Sequence, residues 1–166
     1  MTGQFEGALG IEDVLAREGV YVGYRWYDAR RMPVLWPFGH GMGYTGFVYR
    51  NARLSADTLA EGGEVKVCVT VKNSGAVRGA EVVQLYISDE TGAPIAGGRV
   101  PQVLRGFSKV WLDPGEERDV EFVLTARDLA HYDPTRRAWH TAPGRYLLRL
   151  GHTSRDIRAS LGLNFG

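Results

Sequence analysis

The nine residues EVKVCVTVK at positions 64–72 limit the fold more than any other stretch. Val65, Val67, Val69 and Val71 fall on one side, and Lys66, Cys68, Thr70 and Lys72 on the other. Successive side chains of a strand point to opposite faces, so a period of two describes a strand with one face in a core. Asn73-Ser74-Gly75 then breaks the run as a turn. The same grammar recurs along the chain. Residues 81–89 place Val83, Leu85 and Ile87 on one face, while Val82 and Tyr86 on the other leave room for a second cover. Residues 104–112 form a third strand candidate, in which Gly106 suggests a bulge that resets the phase. After the turn at Asp113-Pro114-Gly115, Val120, Phe122 and Leu124 share a side, and Tyr146, Leu148 and Leu150 alternate beyond Pro143-Gly144. Residues 47–54 and 157–165 supply a first and a last strand, and after residue 46 a helical turn is expected only at 126–129. Short strands separated by Gly, Pro, Asn and Asp predict an all-β antiparallel sandwich over residues 47–166.

Residues 1–46 differ. The segment 18–47 is dense in Gly, Tyr, Trp and Phe, and Gly23, Pro33 and Pro37 interrupt its β-favouring aromatics. It is expected to be an irregular arm that needs another surface, with a short helical turn at 10–18 that is too brief to stand alone.

Composition excludes several function classes. Twenty basic against 19 acidic residues leave a formal charge of +1, without the basic excess that nucleic acid or an anionic membrane favours. No run approaches the ~18 apolar residues of a spanning helix. The opening MTGQFEGALG lacks a basic start and an apolar h-region, so a chain standing alone is expected in the cytoplasm. One cysteine, Cys68, excludes an internal disulfide and a cysteine-rich zinc site. The four histidines (His40, His131, His140, His152) lack metal-ligand spacing, so no metal and no cofactor is expected.

Chemistry is equally sparse. A carboxylate pair needs two acids held across a cleft. Glu64, Glu81 and Glu121 are assigned to solvent parities, and Asp89, Asp113 and Asp133 to turns. Asp28 is the one acid set among aromatics, and pairing with Arg25, Arg30 or Arg31 is its simplest explanation. Cys68 has no histidine nearby in sequence and is expected to be a plain thiol. The Gly39-His40-Gly41-Met42-Gly43 run is no phosphate loop, because Pro37 precedes it and a strand candidate follows. Its glycines permit tight turns beside Trp36, Phe38 and Tyr44. Aromatics remain: Trp111, Trp139 and Tyr132 are candidates to stack on sugar rings, or else they fill a core or seam.

EGVYVGYRWYD (18–28) followed by PFGHGMGYTGF (37–47) closely resembles the motif pair ending the second catalytic domain of glycoside hydrolase family 3, the β-glucosidase-type enzymes. The stretches VTVKNSGAVRGAEVVQLYISD (69–89), LRGFSKVWLDPGE (104–116), LAHYD (129–133) and PGRYLLRLGHTSRDIR (143–158) resemble the fibronectin type III-like domain that many of those enzymes carry at the C-terminus. Residues 3–17 fit more loosely, with Glu6-Gly7 where such families often show Pro-Gly.

The resemblance implies a retaining exo-hydrolase of β-linked sugars, with an Asp nucleophile in a (β/α)8-type barrel and an acid/base Glu in an α/β sandwich domain. The matching stretches contain neither segment, so no catalytic residue is expected here and the chain alone is not expected to be an enzyme. It implies instead a fibronectin type III-like, immunoglobulin-like β-sandwich at 47–166, preceded at 1–46 by the end of the second catalytic domain. Tyr21, Tyr24, Trp26 and Tyr27, with Trp36, Phe38, His40 and Tyr44, would then be interdomain contacts. Left alone, such an arm either wraps onto the sandwich or exposes an apolar patch, and exposure is expected. The leading reading is a non-catalytic accessory module whose partner is the catalytic domains, in cis or from a separate chain. The alternative is a carbohydrate-binding module acting through exposed aromatics and basic residues such as Arg136 and Arg137.

Overall fold

The computed structural model describes residues 19–93, 95 and 98–166, so the helical turn expected at 10–18 lies outside the described residues. Among the described residues the chain opens with a helix of six residues, α1 (Tyr24–Ala29). Two sheets follow. The first runs in the order β1 (Phe47–Leu54), β3 (Glu64–Asn73), β6 (Glu117–Thr125). The second runs β2 (Thr58–Leu59), β10 (Ile157–Phe165), β9 (Gly144–Gly151), β4 (Gly79–Asp89), β5 (Val103–Leu112). A turn of helix, α2 (Ala126–Leu129), leads from β6 into a small ribbon of β7 (His131–Asp133) and β8 (Ala138–His140). Pairing is antiparallel except for the two-residue parallel contact of β2 with β10.

The sheets close on each other through the residues whose alternation marked the strands. Val65, Val67, Val69 and Val71 of β3 are buried with Val83, Leu85 and Ile87 of β4 and Tyr146, Leu148 and Leu150 of β9. Register sets these layers: Val69 faces Val120 across β3–β6, and Leu85 faces Leu150 across β4–β9. The expected bulge is present. Leu85 pairs with Gly106 but Tyr86 with Leu104, so Arg105 is the extra residue of β5. A side chain at Gly106 would meet the Phe122 ring at 3.0 Å, which explains why glycine stands there.

Three expectations are corrected. The aromatic run at 21–28 folds in part as α1 rather than as irregular chain, with Gly23 entering the helix at φ 62°, a backbone suited to glycine. Glu81 is buried, at 2 % exposure, rather than solvated. It shares the odd parity of Val83, Leu85 and Ile87, so the strand itself turns it inward. Cys68 and Thr70 are buried as well, because β3 is the middle strand of its sheet and its outer face lies under the Arg53–Asp119 pair. Burial pushes the Cys68 thiol up, as does the nearby charge of Asp119, in keeping with a plain thiol.

Candidate functional site

The even face of β4 builds the seat for the arm. Gln84, Tyr86 and Ser88 are all buried there, which supplies the second cover that Val82 and Tyr86 had suggested. Tyr24, at the start of α1, sets its ring edge-on to Tyr86 (centroids 6.0 Å) and stacks on Phe38 at 4.7 Å. Its hydroxyl accepts a 2.8 Å hydrogen bond from the Leu104 N–H, beside the bulge. Burial raises the Tyr86 hydroxyl far above its ordinary pKa, and that hydroxyl donates to the Gln84 Oε1. The Gln84 amide in turn donates to the carbonyls of His152 and Gly39. Gly39 has φ +83°, and a Cβ there would sit 2.3 to 2.7 Å from the Gln84 amide. The glycine run thus brings backbone against a buried side chain.

Asp28 does not pair with Arg25, Arg30 or Arg31. Its Oδ1 accepts from Arg155 Nε at 2.9 Å, and Arg155 Nη2 reaches the Met32 carbonyl at 2.9 Å. The Ser154 N–H donates to the Phe38 carbonyl at 2.9 Å. Asp28 and Arg155 are 127 residues apart, so nothing local in sequence joins them.

A buried cluster closes the end of the sandwich next to this seat. Tyr49 of β1 donates to Glu81 Oε1 at 2.8 Å, and His152 Nδ1 donates to the same oxygen at 2.7 Å. The other ring nitrogen of His152 lies 3.4 Å from the Gly41 carbonyl of the arm. Burial raises the Tyr49 hydroxyl strongly, with the Glu81 charge adding to it. One carboxylate therefore ties the two sheets and the arm together.

The arm is anchored below and bare above. Leu35 is 91 % exposed, Trp36 65 %, Met42 88 % and Tyr44 fully exposed. His40 stacks on Trp36 at 4.5 Å. Trp26 carries Arg30 over its ring at 4.6 Å and meets Tyr21 edge-on, whose hydroxyl donates to the Arg99 carbonyl at 3.3 Å. Tyr27 lines a cleft of about 510 Å³ with Leu35, Trp36 and Phe38. The described part of the arm therefore both wraps and exposes; the two outcomes are not exclusive.

Of the sugar-stacking candidates, Tyr132 and Trp139 come together, perpendicular at 71° with centroids 5.8 Å apart. Trp111 stands elsewhere. It pairs with Ala80, seven positions along β4 from Ile87, which lines the cavity beside Trp139; at ~3.3 Å per residue that is roughly 23 Å. Arg78 and Lys109 lie 5.4 and 5.3 Å from the Trp111 ring centre. Among the described residues no group of three or more His, Cys, Asp or Glu is placed to hold a metal ion, and no helix is long and apolar enough to cross a membrane.

Residues 81–154 match the family model described as fibronectin type III-like domain. The chain carries that domain. Its relatives are family 3 β-glucosidases. It is 40 % identical over 141 residues to thermostable β-glucosidase B of Acetivibrio thermocellus, covering 85 % of this chain and 18 % of that protein. It is 39 % identical over 149 residues to β-glucosidase BoGH3A of Bacteroides ovatus, covering 90 % and 20 %. Among solved structures, the β-glucosidase of Bifidobacterium adolescentis aligns with a TM-score of 0.80 at 34 % identity, over 90 % of this chain and 21 % of that one. DesR, a β-glucosidase from Streptomyces venezuelae, gives 0.80 at 38 % identity, over 90 % and 18 %. The chain thus spans about a fifth of the length of the relatives it matches. The shared stretch includes the fibronectin type III-like domain at 81–154.

Proposed function

We propose that the domain serves as an accessory module that docks on the catalytic domains of a β-glucosidase-type enzyme and stabilises or shapes them. The enzyme would hydrolyse terminal β-linked sugars. One observation carries the reading: four large apolar side chains within ten residues, Leu35, Trp36, Met42 and Tyr44, stand in solvent on an arm fastened from beneath by Tyr24, Phe38 and Asp28. The held backbone has already lost its freedom, so covering these residues costs only the ordering of their side chains. The division into an arm at 1–46 and a sandwich at 47–166 belongs to the same proposal, with Tyr21, Trp26, Tyr27 and His40 around the contact.

The test mixes this chain with separately produced barrel and α/β domains of a family 3 β-glucosidase and measures association by sedimentation. The expected result is a complex that the Leu35→Ser/Trp36→Ser/Tyr44→Ser variant does not form, although its melting temperature matches the parent's. No complex with the unaltered chain, or equal binding by the variant, overturns the reading.

A further inference from the structure

A cavity of about 430 Å³ lies between the bulged end of β5, the ribbon β7–β8 and the first described residues of the arm. That volume is in the range of small-ligand sites. Ile87, Val103, Leu129 and Tyr146 make its wall, and the perpendicular pair Tyr132 and Trp139 its lip. Its charge is lopsided. Among the described residues, Arg25, Arg99 and Arg105 line it against one carboxylate, Asp89. Asp89 is already bound to Arg99. His131, also in the lining, has its pKa lowered by burial and by His140, so it is neutral at pH 7.

Among the described residues, Arg25 and Arg105 are therefore without an ion pair. Arg105 donates from Nη2 to the Ala130 carbonyl at 2.7 Å, its Nε is buried without a partner, and it has no ion pair among the described residues. Arg25 makes one long contact, 3.4 Å, to the Val20 carbonyl, and its charge is felt by Arg105. The Asp128 charge offsets part of the burial cost of Arg105 and Arg25 adds to it, and a half-buried guanidinium whose Nε has no partner still gains from an anion brought to it. The fork of arginine matches the two oxygens of a carboxylate. The aromatic lip adds a requirement for a ring. Arg127 lies 3.8 Å from the centre of the Trp139 ring, and Trp139 is still half exposed, as a stacking platform needs.

We propose that this cavity binds a uronic acid residue, its carboxylate on Arg105 and Arg25 and its sugar ring against Trp139 and Tyr132. The site goes beyond the docking role and stands or falls apart from it, since no residue of the exposed face takes part.

The full chain is titrated with D-glucuronate and D-galacturonate by amide and side-chain NMR, with D-glucose and sodium acetate as controls at constant ionic strength. At least one uronate should saturate and shift the Arg105 Nε–H and Trp139 Nε1–H signals, and glucose should bind at least tenfold more weakly. Arg105→Gln and Trp139→Ala should each weaken uronate binding at least tenfold. Arg25→Gln, at a position outside the strands, serves as the second charge variant if Arg105→Gln fails to fold. No saturable binding by either uronate overturns the proposal. So does acetate binding as tightly as uronate, which would mean a plain anion site, and so does uronate binding indifferent to both arginine variants.

Discussion

Replacing Glu81 by alanine tests whether a buried carboxylate fastens the two sheets. Its Oε1 accepts from Tyr49 at 2.8 Å and from His152 at 2.7 Å, and the residue is 2 % exposed. Hydrogen bonds to a charged group contribute about 1.5–3 kcal/mol each, and breaking a buried pair from one side costs about 3–5 kcal/mol. The two hydrogen bonds sum to about 3–6 kcal/mol and the pair route gives about 3–5, so Glu81→Ala is placed at a loss of about 3–5 kcal/mol, where both agree. For a chain of this size that is a fall of roughly 6–20 °C in Tm. Glu81→Gln keeps an oxygen acceptor and should cost less, roughly 1–2 kcal/mol. Urea unfolding of the full chain supplies the free energies, and a double-mutant cycle with Tyr49→Phe isolates the contact. A coupling of about 1–3 kcal/mol is expected. A loss below about 1 kcal/mol for Glu81→Ala, together with zero coupling to Tyr49, would mean that the carboxylate is held by solvent and that the reasoning is wrong.

Gly39→Ala should loosen the arm, because its Cβ would meet Gln84 at 2.3 to 2.7 Å and the backbone sits at φ +83°. A cost of about 1–3 kcal/mol makes chymotryptic cleavage after Tyr24 and Phe38 roughly 5- to 150-fold faster, and an unchanged rate refutes the role given to Gly39. In the unaltered chain trimming should leave a stable core beginning near Gly46, and an arm as resistant as the sandwich would contradict that boundary. Asp89 is pushed up by burial, but hydrogen bonds from Thr91 and Arg99 outweigh it and hold the carboxyl below its ordinary value. Its contribution is present above the unfolded value of about 3.9 and disappears as pH falls through the lower folded value. Thermal melts from pH 7 to pH 2 should show Asp89→Asn less stable by about 1–3 kcal/mol at neutral pH, with the gap closing below pH ~4. A constant gap across that range would rule out the linkage.

Little of the seat could be found in the sequence, and Glu81 shows how some of it might have been. Its parity with Val83, Leu85 and Ile87 is visible in the sequence, whereas the preference of a carboxylate for water points the opposite way. Arg155 gives no such hint, since its partner Asp28 is 127 residues away. The unpartnered Nε of Arg105 is likewise invisible in one dimension. It arises because the bulge inserts that residue beside a cavity walled by β4, β9 and the β7–β8 ribbon.

The sequence by itself determined the sandwich. Alternation of valine and leucine with polar residues is a property of neighbouring positions, and so are the turns at Asn73-Ser74-Gly75 and Asp113-Pro114-Gly115 and the bulge at Gly106. The aromatic density of residues 18–47 likewise announced a surface in need of a cover. Tertiary structure alone decided which side of that arm is spent on the sandwich and which stays bare. The helix α1 exists because Tyr24 finds Tyr86, Phe38 and the Leu104 N–H in one place; six residues are too few to hold a helix by propensity. Contacts between distant positions depend on the register and closure of the sheets, and no local pattern encodes them.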